Sequence, residues 1–322
     1  MNSNPVDHAL TAPEKLAIQT TGLGKDFGTL CAVAALDLAV PEGQFFGLLG
    51  PNGSGKTTTI HMLTTLARPT RGQATVAGHD VRRQSVAVRR AIGLVFQESA
   101  LDRTLTVDEN LRFAGMLRNL PGAMIRQRSD ELLDLFRLRE RRDKPVATLS
   151  GGMRRALDIA RGVLHRPRIL FLDEPTLGLD VPSRRAIWRF IERLRREEGM
   201  TVFLTTHYLE EAEDCEHVAF LAAGKIIGGG APKTLVQSLG SYIIEVEGES
   251  LEPVVASLSA RLGPGLQDGA RASFRIHDEH FNFLGLQAEL DERVRSVRWR
   301  RPNLNDVFLW VNDPTLSVGL TV

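Results

Sequence analysis

A chain of 322 residues, 43% hydrophobic and 25% charged, has ample apolar material for two cored domains. Its formal charge of +1 excludes nucleic acid as a bulk electrostatic partner, and its two distant cysteines, Cys31 and Cys215, suit a reducing compartment rather than a disulfide framework. No apolar run approaches the ~18–20 residues that span a bilayer, and the polar leader 1–15 has no apolar core of a secretory signal; a soluble, cytoplasmic protein is expected.

Leu16 to Leu23 and Leu36 to Val40 read as strands, the second by the alternation of Leu36, Leu38 and Val40. Between them lies Lys25-Asp26-Phe27-Gly28. Phe27 is placed either to stack on a nucleotide base or to plug a small antiparallel sheet.

Phe45 to Leu49 is a short apolar run of buried-strand type, and Thr57 to Leu66 reads as a helix. Between them stands Gly50-Pro51-Asn52-Gly53-Ser54-Gly55-Lys56-Thr57, a full G-x-x-x-x-G-K-S/T on the strand–loop–helix it requires. The glycines let successive backbone N–H groups turn inward toward phosphate oxygens. The helix start adds its positive end to the same spot, with Thr58 in its first turn. Lys56 is expected to reach the β- and γ-phosphates of a nucleotide, and the Thr57 hydroxyl to join a Mg²⁺ shell. A flexible Gly-rich turn would need neither the strand nor the helix, so the stretch is read as a nucleotide site.

Arg71 to Gly78 looks like a turn and short strand, and Ala91 to Phe96 is another apolar strand that delivers Gln97 at its end. The carboxyl edge of a parallel sheet is where α/β proteins place ligands, which gives Gln97 a route to the metal or the attacking water. Thr106-Val107-Asp108-Glu109 is a capping box opening a helix through Leu111, Phe113 and Leu117. A second helix is expected from Met124 to Leu138, its charged end Arg137 to Lys144 solvated. The stretch 98–148 is thus a helical insertion in an α/β chain.

Leu149-Ser150-Gly151-Gly152-Met153 precedes a helix from Arg154 to Leu164, so small residues again stand at a helix N-terminus. Downstream, Ile169-Leu170-Phe171-Leu172 ends in Asp173 and Glu174, a buried strand presenting two carboxylates at its tip. Asp173 is suited to hold Mg²⁺ through its water shell and Glu174 to accept a proton from water. Acids often end strands, but beside a phosphate loop the functional reading prevails. Thr176 to Asp180 is a loop before a helix with Pro182 in its first turn and Ile187, Ile191 and Leu194 on one stripe. Thr201 to Thr205 is a further strand with His207 past its end, at the sheet edge expected to hold Lys56, Gln97 and Asp173. Asp214-Cys215-Glu216-His217 has metal-ligand residue types but reads as an ordinary helix-to-strand junction.

From Gly240 onward the composition changes to 8 Arg, no Lys and 12 Asp and Glu. Tyr242 to Val246, Phe274 to Ile276 and Val297 to Trp299 read as strands, and Leu251 to Leu262 and Leu304 to Val311 as helices. No chemical constellation stands out there, so 240–322 is read as a small accessory α/β domain.

The ordered set Gly50–Thr57, Gln97, Leu149–Met153, Leu170–Glu174, Leu179-Asp180 and His207 resembles an ATP-binding cassette (ABC) ATPase over about 16–235, within an ATPase domain expected over 16–239. Met153 stands where Gln is commoner, and Leu177 where a small polar residue is usual. Arg301-Pro302-Asn303-Leu304-Asn305-Asp306-Val307-Phe308-Leu309 and Phe96-Gln97-Glu98-Ser99-Ala100-Leu101-Asp102 resemble the drug-resistance exporter ATPases of the daunorubicin-resistance group. The resemblance implies a P-loop NTPase core of RecA-like α/β type, an antiparallel β-subdomain and the helical insertion. It implies that Phe27 stacks on adenine, that Gly50 to Thr58 bind ATP and Mg²⁺, and that Gln97 links metal and water to a membrane partner. Asp173 then orients Mg²⁺, Glu174 is the general base and His207 holds the γ-phosphate. Ser150, Gly151 and Gly152 reach the nucleotide of a second subunit, and Asp180 lies on the dimer seam. The implied protein is the ATPase of an exporter, a homodimer under a separate permease at the inner face of the cell membrane. An importer ATPase is an alternative. So is a permease-independent ABC protein on ribosomes or DNA, against which the single phosphate loop and the lack of long heptads argue. A P-loop kinase or GTPase is disfavoured by Leu149–Met153.

Overall fold

The computed structural model describes residues 15–290 and 293–313; of the leader expected over 1–15, only Lys15 lies among them. The described elements divide into two units. The first runs to Phe45 and resumes over Thr57–Leu204; the second comprises Phe46–Lys56 and the chain from Thr205.

In the first unit, β1 (Leu16–Phe27) and β2 (Leu30–Pro41) form an antiparallel hairpin. Its turn pairs Phe27 with Leu30 around Gly28, whose φ of 58° is cheap only for a residue without Cβ. Leu36, Leu38 and Val40 are buried while Asp37 and Ala39 face out, the period-2 pattern of a half-covered antiparallel sheet. Both strands outrun the expected 16–23 and 36–40. The ladder continues through register shifts around Leu23 and Lys25, where Gly22 and Gly24 interrupt the apolar pattern.

After β3 (Phe45–Leu49) and α1 (Lys56–Leu63), β4 (Arg71–Val76) pairs with the other side of β1 and β5 (His79–Asp80) follows, giving the order β2-β1-β4-β5. Helix α2 (Ser85–Ala91), unforeseen in the sequence, leads into β6 (Ile92–Val95). The insertion carries α3 (Val107–Leu117) and α4 (Gly122–Leu135). Both halves of the capping box at Thr106 and Glu109 form. The charged end of the insertion is not simply solvated: Arg142 pairs with both Asp108 and Asp130, tying α3 to α4. Then come α5 (Gly151–Val163), β7 (Ile169–Asp173), α6 (Val181–Glu198) and β8 (Thr201–Thr206). Strand order here is β8-β7-β6, with β6 and β7 parallel from Ile92↔Ile169 to Val95↔Leu172. Every residue of β7 is buried, as a parallel strand covered on both faces requires. Helix α6 ends at Gly199, whose φ of 61° supplies the left-handed stop.

In the second unit, β3 from Phe46 pairs in parallel with β9 (His217–Ala222), and β9 turns back through Ala223 and Gly224 into β10 (Lys225–Gly230). Both turn residues have positive φ, the two-residue geometry that matches strand twist. After α7 (Pro232–Ser238) comes an antiparallel sheet of β11 (Tyr242–Gly248), β12 (Leu266–Asp268), β13 (Arg271–Ile276) and β14 (Val294–Arg300), in the order β12-β13-β11-β14. Helices α8 (Glu252–Leu262) and α9 (Phe283–Glu289) accompany it, around a core of Ile244, Val246, Leu258 and Phe274. The last helix, α10 (Leu304–Asn312), starts with a capping box at Asn303 and Asp306. It packs on the β9–β10 hairpin: Phe308 meets Phe220 at 5.8 Å between ring centroids, and a Cβ on Gly228 would stand 2.8 Å from Val311. Among the described residues no helix is long and apolar enough to cross a membrane.

Candidate active site

Residues 50–55 turn between β3 and α1 on three glycines of unusual backbone: Gly50 at φ 158°, Gly53 at 79° and Gly55 at 109°. A Cβ on Gly50 would lie 2.1 Å from the Leu221 carbonyl, so only glycine lets the loop leave β3 so close to β9. The Gly224 N–H donates to the Ser54 carbonyl at 3.0 Å, pinning the loop to the β9–β10 turn. Lys56 is buried, and its ammonium donates to the carbonyls of Gly50 at 2.8 Å and Pro51 at 3.1 Å. The positive charge is therefore held over the loop's own curl, while Pro51, Asn52 and Gly53 stay exposed. His207 follows β8 in a turn shaped by Thr206, whose hydroxyl donates to Glu211 and accepts from the Tyr208 N–H. Its ring lies 4.1 Å from that of Tyr208. A cavity of about 280 Å³ brings His207 together with Gly50, Pro51, Asn52 and, from α10, Asn305 and Phe308.

In the first unit the two carboxylates stand at the end of β7. Asp173 is 3% exposed and Glu174 8%. The Thr57 hydroxyl donates to the Asp173 carboxylate at 3.3 Å. Glu174 has φ 45°, the left-handed region that a residue with Cβ occupies at a cost of about 1–2 kcal/mol. Gln97 is exposed just past β6. The residue that the sequence reading missed is Arg155 on α5. Its buried guanidinium donates to the carbonyls of Phe96 and Pro175, both at 2.5 Å, and of Asp173 and Glu174, both at 3.1 Å. Burial lowers its pKa from the ordinary arginine value. Nothing in Met153-Arg154-Arg155 marks the second arginine as different from a solvated one; only its placement inside a buried helical face would have hinted at it.

Ser150 caps α5 by accepting from the Met153 N–H, so Gly151 and Gly152 occupy the first turn. Asp180 caps α6 in the same way, accepting from the Ser183 N–H at 2.8 Å, and that bond lowers its pKa. The two helix starts are neighbours: a Cβ on Gly152 would meet the Ser183 hydroxyl at 2.5 Å. Phe27 stands at the hairpin tip, 53% exposed, with the Lys25 ammonium 4.9 Å over its ring. So exposed a ring does not plug the sheet.

Thr57 and Asp173 supply neighbouring hard oxygens of the type Mg²⁺ takes. Among the described residues no three His, Cys, Asp or Glu side chains gather to hold a metal alone. That donor set fits an ion completed by phosphates and water rather than one caged by protein.

A family model described as ABC transporter matches residues 33–177. The daunorubicin/doxorubicin resistance ATP-binding protein DrrA of Streptomyces peucetius is 42% identical over 303 residues, covering 91% of this chain and 91% of the relative. The Nod factor export ATP-binding protein I of Cupriavidus metallidurans is 39% identical, covering 91% and 96%. Among solved structures, an ATP-binding subunit of an ABC transporter superposes with a TM-score of 0.63 at 28% identity, covering 70% of this chain and 93% of the other. The dimeric post-hydrolysis cassette MJ0796 bound to ADP and Pi gives 0.61 at 27% identity, covering 66% and 98%. With the phosphate loop, the paired carboxylates and the capped Ser150 helix in place, these similarities show that the chain belongs to the ATP-hydrolysing ATP-binding proteins of ABC transporters.

Proposed function

We propose that this ATPase powers export of a drug or another amphipathic compound, as a homodimer at the inner face of the membrane beneath a separate permease. The observation that carries the reading is the extent of the similarity. The match to relatives named for drug resistance and Nod factor export runs over 91% of the chain, whereas solved cassettes cover 66–77% of it. The accessory region therefore goes with the export relatives. Neither a ribosome or DNA role nor an importer role has a comparable observation behind it.

In this reading Phe27 stacks on adenine, and the loop Gly50 to Gly55 with Lys56, Thr57 and Thr58 binds the phosphates. Mg²⁺, when bound at Thr57 and Asp173 with Gln97 near, supplies charge stabilisation at the γ-phosphate. Glu174 accepts the proton of the attacking water, and His207 holds the γ-phosphate. Ser150, Gly151 and Gly152 face the nucleotide of the second subunit, with Asp180 on the seam. Binding across the seam closes the dimer; hydrolysis releases it.

The permease meets the loop 99–105 and the adjoining groove between α2, α3 and α5. That groove has a volume of about 500 Å³ and is lined by Leu66, Val86, Phe113 and Leu117, all strongly exposed. Apolar side chains gathered this way on a surface mark an interaction site. The test is affinity purification of the tagged chain from detergent-solubilised membranes. A polytopic membrane protein should co-purify, and daunorubicin-type compounds should stimulate ATP hydrolysis by the complex. Recovery only with ribosomal or DNA-binding proteins overturns the proposal.

A further inference from the structure

Helix α5 does more than open with Ser150. Arg155, Asp158 and Arg161, three residues apart on one helical face, all reach the segment 96–100 that contains Gln97. Arg155 donates to the Phe96 carbonyl at 2.5 Å, and Arg161 to the Ala100 carbonyl at 2.6 Å. The buried Asp158 carboxylate lies beside Ser99 and Ala100 and 4.0 Å from Arg161. The Arg155 fork also spans the end of β7, bonding the carbonyls of Asp173, Glu174 and Pro175. The Asp173 and Glu174 carbonyls belong to the two peptides that flank Glu174, and the Phe96 carbonyl belongs to the peptide that enters Gln97.

We infer that Arg155 is a positioning residue for hydrolysis: one guanidinium holds the backbone at Glu174 and at Gln97, so both side chains are set by the same rigid helix. The inference deepens the functional reading above and rests on it. The chemistry of the fork is specific. Guanidinium has five N–H donors in a planar array, and four carbonyls from two strand ends satisfy it here. Glu174 sits at a left-handed φ of 45°, which its own preferences oppose, so the three successive carbonyls need an external clamp to stay turned to one side. A buried cation without such acceptors would be costly, and an apolar side chain would take a donor from the Phe96, Asp173 and Pro175 carbonyls, whereas the Glu174 carbonyl also accepts from the Leu177 N–H at 3.3 Å. A lysine keeps the charge but is a single donor point that reaches only part of the set. Because Ser150 begins the same helix, displacement of its N-terminal end is passed to Gln97 and Glu174 through Arg155, Asp158 and Arg161.

The experiment uses the full chain and measures ATP turnover and nucleotide affinity for Arg155→Lys, Glu174→Gln and the double variant. Arg155→Lys is expected to lower kcat at least tenfold while KM for ATP moves less than threefold. In the Glu174→Gln background it should cost only about threefold more, since Glu174 is gone and Gln97 alone is left for it to position. Purely structural damage would instead lower both backgrounds alike. A kcat within twofold of the parent, or full additivity with Glu174→Gln, overturns the inference. If Glu174→Gln alone keeps its rate, the assignment of Glu174 as base fails, which is a separate outcome and removes the basis of this one. Should Arg155→Lys not fold, Arg161→Gln reads the loop half of the clamp: kcat is expected to fall at least threefold with ATP affinity retained, and an unchanged kcat overturns the inference.

Discussion

Replacing Glu174 by Gln isolates one proton acceptor from everything else the residue does. Gln has the same length and the same reluctance to adopt φ 45°, so the backbone cost of about 1–2 kcal/mol is common to both and cancels. The side chain is only 8% exposed and the amide fills the same volume, so no cavity opens. Folding stability should therefore stay within about 1 kcal/mol of the parent, read as an unfolding midpoint. Loss of a general base costs on the order of 10²–10⁴ in rate, about 2.7–5.4 kcal/mol of barrier. The assay is phosphate release at saturating Mg²⁺ and ATP, beside ATP affinity and the fraction of closed dimer by gel filtration. Turnover should fall by that factor, affinity should persist, and the dimer should accumulate. Glu174→Asp keeps the carboxylate but withdraws it by one methylene, and a misplacement of this size costs about 10²-fold. Turnover of Glu174→Gln within threefold of the parent, in a preparation cleared of contaminating ATPases, would refute the role of Glu174.

Lys56→Ala removes the buried ammonium over the phosphate loop and should weaken ATP binding itself; unchanged affinity counts against the cradle. Mixing Lys56→Ala with Gly152→Asp tests the shared site: a mixed dimer has both lesions at one interface and leaves the other intact, so some turnover should return. No recovered turnover, together with no closed nucleotide-bound interface, speaks for self-contained sites. Cysteines placed at 99–105 should crosslink to the permease and lose that product when the permease is absent; products with soluble proteins alone would sink the docking surface. His165, beside the Ile92 carbonyl at 2.9 Å, is pushed down to about 4 by burial and by the Arg118 charge. The unfolded chain then binds a proton between pH 6.5 and 4 that the folded chain does not. Stability is fully present above pH 6.5 and falls toward pH 4, by at most about 3 kcal/mol. Urea unfolding at pH 7 and pH 5 should show a smaller difference for His165→Gln; an equal difference would remove His165 as the cause.

How far the sequence could be read depended on where each feature's causes lie. The phosphate loop was legible because its chemistry is made by contiguous residues: glycines that permit the curl, one lysine, one hydroxyl and a helix that must start there. The Thr106–Glu109 capping box was legible for the same reason, since all its partners lie within one turn. The carboxylates at 173 and 174 followed from an apolar run that could only be buried. What local pattern could not supply was anything set by distant neighbours. Lys225–Gly230 has two isoleucines but ends in three glycines that weaken a strand, and it is one because β9 offers it a ladder to Gly230, while α10 comes too close to Gly228 for a side chain. Beyond Leu23, β1 continues past its glycines because β2 and β4 hold it on both sides. Arg142 reads as a solvated charge until the fold brings Asp108 and Asp130 to it. Arg155 is the sharpest case. Its four acceptors lie 59 residues before it and 18–20 after it, at two strand ends that become neighbours only when β6 and β7 pair. The sequence by itself determined which chemistry is present; tertiary structure decided which backbone that chemistry is anchored to, because hydrogen bonds between remote segments leave no local periodicity to read.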